Sequence, residues 1–211
     1  MNIENIKIEN YCIEHSEKIP DYLIDLEKET NLKTTMPQML TGRIQGRLLS
    51  FLSKMINPKS ILEIGTFTGY SALCLAEGLQ ENGILRTYEV NNENISLIKK
   101  IFQLSPFNKN IELIEGDALK LLKNRNEKYD IVYIDANKND YPEYYKLIID
   151  KVNSNGLILI DNVLWSGKVI FDADDKTASI LRDFNIAIKN DTRVEKIMLP
   201  IRDGLSIIRK K

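Results

Sequence analysis

Two carboxylates and a carboxamide, Asp135, Asp161 and Asn162, stand where two short apolar runs end, Ile131-Val132-Tyr133-Ile134 and Leu157-Ile158-Leu159-Ile160. If those runs are neighbouring strands, the backbones of Asp135 and Asp161 lie about 4.8 Å apart. Carboxylates that close repel, and one pKa rises unless a cation lies between them. An all-oxygen set without histidine or cysteine suits Mg²⁺ or Ca²⁺ better than zinc, and three protein ligands leave octahedral positions for water and substrate. The competing account is a pair of loop carboxylates hydrogen-bonded to backbone amides.

A second acidic position, Glu89, ends the run that begins at Leu85. It follows Gly65 by roughly 20 residues, where nucleotide-binding α/β folds place an acid that accepts hydrogen bonds from ribose hydroxyls. Upstream, Ile61-Leu62-Glu63-Ile64 reads as a buried strand, Gly65 to Gly69 as a tight turn and Tyr70 onward as a helix. Backbone amides at such a helix start point into the turn. The pattern Gly65-x-Phe67-x-Gly69 is not GxGxxG, and no lysine is present to hold a phosphate. Both facts count against a dinucleotide or a P-loop nucleotide. A nucleoside without phosphates fits better, and S-adenosylmethionine is the common one. Asp117 would then receive the adenine amino group, or else cap the helix that begins at Ala118.

These residues need a scaffold that brings strand ends together. Helical patterns run over Ile6 to His15, Asp21 to Leu32 and Arg43 to Met55, the last with Leu48, Leu49, Leu52 and Met55 as its apolar face. Beyond the glycine turn, strands at Leu85 to Glu89, Ile111 to Glu115, Ile131 to Asp135 and Leu157 to Asp161 alternate with helices at Asn91 to Gln103, Ala118 to Leu122 and Tyr141 to Lys151. A helix from Asp175 to Lys189 and two β-rich runs, Val194 to Leu199 and Leu205 to Arg209, complete the pattern. This predicts an α/β fold: a doubly wound, mostly parallel seven-stranded sheet, an antiparallel C-terminal hairpin and an N-terminal helical cap. One domain over 1–211 is expected, with 1–40 as cap and 41–211 as core. In such sheets ligands collect beyond the carboxyl ends of the strands, which is the edge where the acids cluster.

Composition narrows the function classes. The chain has 211 residues, 43% hydrophobic and 28% charged, enough to bury about 70% of its unfolded surface in one core. No apolar run approaches the roughly 20 residues of a membrane span, and the first residues lack a secretory pattern. Cys12 and Cys74 form no paired motif and read as reduced thiols, so a cytoplasmic protein is expected. A net charge of -1 gives no general attraction to nucleic acid or anionic lipid. The lone His15 lies among polar residues and reads as a surface side chain.

The segments LEIGTFTGYSAL, IDANKNDY, DNVLWSGKV and PIRDG, in that order, resemble the metal-dependent class I O-methyltransferases related to catechol and caffeoyl-CoA O-methyltransferases. The similarity runs from about Met39 to Arg209. It implies a Rossmann-like fold and S-adenosylmethionine contacts at Met39, Thr41, Gly65, Phe67, Ser71, Glu89, Asp117, Ala118 and Asp135. It implies a metal site at Asp135, Asp161 and Asn162 holding Mg²⁺, or Ca²⁺ or Mn²⁺. Lys138 would lie beside the reacting hydroxyl as the catalytic residue, and Trp165 would border the acceptor pocket. Many relatives read Asp-Ala-Asp-Lys where this chain has Asp135-Ala136-Asn137-Lys138; there the second aspartate helps hold the cofactor's ammonium, and Asn137 brings no charge.

The resemblance implies methyl transfer to a small-molecule vicinal diol, with a homodimer as the expected assembly. Methylation of a hydroxylated uridine in tRNA is the alternative; a basic strip of Arg43, Arg47, Lys54 and Lys59 beside the site would meet either RNA phosphates or the phosphates of a coenzyme A ester. A nicotinamide-dependent oxidoreductase on a similar sheet is disfavoured by the absent GxGxxG, and a non-catalytic binding protein is the remaining reading. Acceptor choice is expected to lie in the loop from Trp165 to Asp174 and in the N-terminal cap.

Overall fold

The computed structural model describes residues 3–171 and 174–211. Among them one sheet is formed by β1 (Ser60–Ile64), β2 (Ile84–Glu89), β3 (Ile111–Glu115), β4 (Tyr129–Ile134), β5 (Val152–Asp161), β6 (Val194–Leu199) and β7 (Leu205–Lys210). The spatial order is β3-β2-β1-β4-β5-β7-β6. The first five strands are mutually parallel, and β7 runs antiparallel to both β5 and β6. The expected doubly wound sheet with its closing hairpin is therefore the observed one.

Helices α1 (Ile3–Glu14), α2 (Asp21–Lys33), α3 (Arg43–Ile56), α4 (Tyr70–Ala76), α5 (Ile95–Leu104), α6 (Ala118–Leu121), α7 (Tyr141–Ile148) and α8 (Lys176–Asn190) cover the sheet. Because successive strand residues point to opposite faces, each strand feeds two cores. Leu62, Ile64, Val132, Ile134, Ile158 and Ile160 pack with residues of α7 and α8. Ile61, Leu85, Ile131, Tyr133 and Leu159 pack with residues of α2, α3, α4 and α5. Covering both faces is why these strands read as continuous apolar runs instead of alternating ones.

The N-terminal helices behave differently from one another. Leu23 and Leu26 of α2 are buried, each gaining about 1.5–3 kcal/mol over exposure. In α1, by contrast, Ile8 and Tyr11 are exposed. The apolar face expected on α3 holds at Leu48, Leu49 and Leu52, which pack on the core, and is corrected at one position. Met55 is exposed, and the buried face is Gln45, Gly46, Leu49, Ser50 and Ser53. Small and polar residues serve there because α3 lies close against α4, and Ser53 Oγ donates to the Leu75 carbonyl at 2.6 Å.

One carboxylate ties these helices together. Glu77, next to the end of α4, accepts from Tyr22 Oη (2.9 Å), Arg47 Nη2 (2.6 Å), Ser50 Oγ (2.6 Å) and Lys54 Nζ (2.9 Å). Burial alone would raise its pKa, but these donors outweigh it and hold the group at about 2.

Candidate active site

The chain leaves β1 for β2 on one side and returns as β4 on the other, so the carboxyl ends of β1 and β4 part at a topological switch point. A cavity of about 910 Å³ opens there, and every site residue singled out in the sequence lines it.

The glycine turn forms one side of the cavity. Gly65 has φ +98° and Phe67 φ +52°. Glu89 is buried against this turn: its Oε2 accepts from the amides of Thr66 (3.2 Å) and Phe67 (2.8 Å), and its Oε1 from that of Asn91 (2.8 Å). The carboxylate thus braces the turn, while its remaining lone pairs can serve ribose hydroxyls. Asp117 takes the capping role weighed for it, accepting from the Leu119 amide at 2.9 Å at the start of α6. Ser71 and Ala118 are buried at the first turns of α4 and α6. Met39 ends a short 3-10 turn, Pro37–Met39, and Thr41 is buried beside it. From α2, Thr30 Oγ1 donates to Thr68 Oγ1 at 2.9 Å, which connects the N-terminal region to this turn.

The acidic side lies across the switch point. Strands β4 and β5 pair in parallel with Ile134 opposite Ile160, so Asp135 and Asp161 follow on adjacent strands as expected. Asp161 is buried, and its pKa is pushed up to about 6 by burial and then by the charge of Asp135. Its Oδ2 accepts from Gln45 Nε2 (2.6 Å) and Tyr133 Oη (2.9 Å), and its Oδ1 from the Asn162 amide (2.7 Å). Asp135 Oδ1 pairs with Lys138 Nζ at 2.8 Å. Lys138 also stands 5.8 Å from the centroid of the Tyr141 ring. Among the described residues no group of three or more His, Cys, Asp or Glu side chains is placed to hold a metal. The candidate donor set is instead two mutually repelling carboxylates and the Asn162 carboxamide, oxygen ligands of the kind hard divalent cations take.

Around this centre, Asn137 is exposed and donates from Nδ2 to Asp140 Oδ2 at 2.8 Å. A carboxylate therefore stands next to the neutral residue. Trp165 adopts φ +48° and is half-buried against the core, with Nε1 donating to Asp175 Oδ2 at 3.4 Å. Part of the loop expected to choose the acceptor, residues 172 and 173, lies outside the described residues.

Several contributors escaped the sequence reading. Tyr133 and Gln45 hold Asp161, and Tyr141 Oη donates to the Asp161 carbonyl at 2.9 Å. Glu63 lies fully buried in β1, accepting from Thr87 Oγ1 at 2.5 Å, with its pKa raised to about 8 by burial. Glu63 and Tyr133 are polar residues inside aliphatic strands, a signal the sequence did carry. Gln45 reaches Asp161 from α3 and left no local signal.

The expected basic strip does not form. Arg47 and Lys54 converge on Glu77, and Arg43 pairs with Glu27 at 3.0 Å. Lys59 precedes β1, at the amino end of the strand, and none of the four lines the cavity.

Comparison with known proteins agrees with this geometry. The family model described as O-methyltransferase matches residues 13–211. Caffeoyl-CoA O-methyltransferase 2 of Populus trichocarpa is 37% identical over 196 residues, covering 87% of this chain and 79% of that protein. Caffeoyl-CoA O-methyltransferase 1 of Nicotiana tabacum is 36% identical over 196 residues, covering 87% and 82%. Among solved structures, the SAH-bound methyltransferase PaMTH1 of Podospora anserina superposes with a TM-score of 0.91 at 31% identity, covering 100% of this chain and 97% of the other. The O-methyltransferase TomG of Streptomyces achromogenes in complex with SAM gives 0.90 at 25% identity, covering 100% of both chains. The chain belongs to the O-methyltransferase family and is an S-adenosylmethionine-dependent O-methyltransferase.

Proposed function

We propose that the protein transfers a methyl group from S-adenosylmethionine to a hydroxyl oxygen of a small catechol-like or other vicinal-diol acceptor, with the help of a divalent cation, in one methyltransferase domain. The observation that carries this reading is the shared cavity, in which the braced glycine turn and the Asp135–Asp161 strand ends stand on either side of one switch point.

S-adenosylmethionine supplies a methyl group already activated on a sulfonium. The chain's own work is to align it. Glu89 would meet the ribose, Asp117 and Ala118 the adenine, and Met39, Thr41, Gly65, Phe67 and Ser71 the remaining contour. Asp135, Asp161 and Asn162 would hold Mg²⁺, or Ca²⁺ or Mn²⁺; such a cation supplies a Lewis acid that favours the anionic form of a hydroxyl. A phenol, like tyrosine, has a pKa of about 10 and is mostly unreactive at neutral pH without such help. Gln45 and Tyr133 keep Asp161 in one orientation, as partners of metal-binding carboxylates commonly do. Lys138, fixed between Asp135 and the Tyr141 ring, would take or stabilise the hydroxyl proton. Trp165 would wall the acceptor. The tRNA reading draws no support from Arg43, Arg47 and Lys54, whose charges are engaged by Glu27 and Glu77.

The test is methylation of a small catechol with labelled S-adenosylmethionine after chelator treatment and after restoring Mg²⁺. Loss on chelation and recovery with Mg²⁺ is expected; full turnover in chelator would remove the cation from the mechanism.

A further inference from the structure

Arg202 stands apart from the other charged groups around the cavity. It lies in the turn between β6 and β7, has φ +50°, and lines the same cavity as Lys138, Asn162 and Trp165. Its guanidinium donates from Nη1 to the Leu40 carbonyl (2.7 Å) and from Nη2 to the Gln38 carbonyl (3.3 Å). Both partners are neutral, and among the described residues no carboxylate lies within ion-pair distance of Arg202. The cavity's other cation, Lys138, is already paired with Asp135.

The surrounding carboxylates are committed elsewhere. Glu89 is held by backbone amides, Asp117 by the start of α6, Asp140 by Asn137, and Asp161 by Gln45, Tyr133 and the Asn162 amide. Arg202 is therefore a permanent cation without an ion-pair partner among the described residues, with N–H donors beyond the two used by carbonyls. Its neighbour Asp203 fixes where that charge sits. The Asp203 carbonyl accepts from the Leu164 amide at 2.9 Å, and Oδ1 accepts from the Ser166 amide. The turn is thereby stapled to both flanks of Trp165, while the guanidinium itself lies against the Gln38–Leu40 segment.

We infer that Arg202 recognises an anionic substituent, a carboxylate or a phosphate, on the acceptor at a distance from its diol. A guanidinium fork gives such oxyanions two parallel charge-assisted hydrogen bonds and gives a neutral acceptor none. This rests on the vicinal-diol reading above.

The experiment compares 3,4-dihydroxybenzoate with its methyl ester, and 3,4-dihydroxybenzyl phosphate with 3,4-dihydroxybenzyl alcohol, in the Mg²⁺-loaded enzyme and in Arg202→Met and Arg202→Lys. In the unaltered enzyme at least one anionic acceptor should exceed its neutral partner about tenfold or more in kcat/KM, chiefly through KM, and the pair that shows this tells carboxylate from phosphate. Arg202→Met should erase the preference, and Arg202→Lys should keep part of it. Loosening of the Gln38–Leu40 segment alone would lower both members of a pair together and leave their ratio unchanged, so the ratio separates recognition from packing. Equal use of anionic and neutral acceptors, or a preference that survives in Arg202→Met, would overturn the assignment to Arg202 while leaving the diol reading intact. Methylation of none of the four would overturn the diol reading and this inference with it.

Discussion

The backbone of Gly65 rests on that of Asp135: a β-carbon at Gly65 would stand 2.0 Å from the Asp135 carbonyl oxygen, at φ +98°. The Asp135 amide in turn donates to the Ile64 carbonyl at 2.9 Å. The turn assigned to the cofactor and the strand end assigned to the metal are thus one packed unit, and neither can shift without the other.

Gly65→Ala should therefore be costly on two grounds, the left-handed backbone and the clash with a main-chain oxygen. A loss of about 2–4 kcal/mol in unfolding free energy is expected, together with weakened S-adenosylmethionine binding. Urea denaturation and calorimetric titration would measure the two; a variant as stable as the parent would contradict the close approach.

Asp161→Asn keeps the size of the side chain and removes its charge from the candidate metal set. Methyl transfer should fall at least about 100-fold, while the dissociation constant for S-adenosylmethionine stays within a few-fold. Equal losses in both would break the division of the cavity into a cofactor side and an acidic side.

Lys138→Met should lower kcat by about 10²–10⁴-fold with a smaller change in KM for the cofactor. Its ion pair with Asp135 means that the variant also leaves a carboxylate without its cation. Measuring cofactor affinity and Mg²⁺ dependence alongside kcat separates the two effects; a kcat near that of the parent would assign Lys138 to charge balance alone.

Glu63 sets a pH dependence with an uncommon sign. Burial raises its pKa in the folded state to about 8, whereas an unfolded glutamate titrates near pH 4.3. Between those values the folded state holds a proton that the unfolded state has lost. Stability from this residue is greatest below the unfolded value and declines as pH rises toward about 8, by at most about 1.4 kcal/mol per pH unit. Glu63→Gln should flatten the fall in melting temperature between pH 5 and pH 8.

Glu77 carries the opposite sign. Its pKa is held near 2 in the folded state, so its contribution is present above the unfolded value and disappears as pH falls toward 2. Glu77→Gln leaves Arg47, a largely buried cation, without its carboxylate, and a loss of about 3–5 kcal/mol near neutral pH is expected. Thermal melts from pH 2 to pH 7 should show variant and parent converging at the acid end.

Much of this molecule was legible in its residue order because the relevant physics is local. Apolar runs such as Ile131 to Ile134 and Leu157 to Ile160 declare strands covered on both faces, Gly65 and Gly69 declare a turn, and an acid at or next to four of the five parallel strand ends declares which edge of the sheet is chemical. Those patterns also carry the family resemblance, so the fold and the residues around the cavity could be named in advance. Folding decided what depends on meetings between distant segments. It brought Gln45 from α3 to Asp161, Thr30 from α2 to the glycine turn, and Arg202 from the last hairpin to the carbonyls of Gln38 and Leu40. It also turned Arg47 and Lys54 from an imagined phosphate strip into partners of Glu77. A charge is visible in a sequence, but whether it is free or neutralised is a property of three-dimensional neighbours, and that is why the candidate acceptor-reading residue emerged only from the tertiary structure.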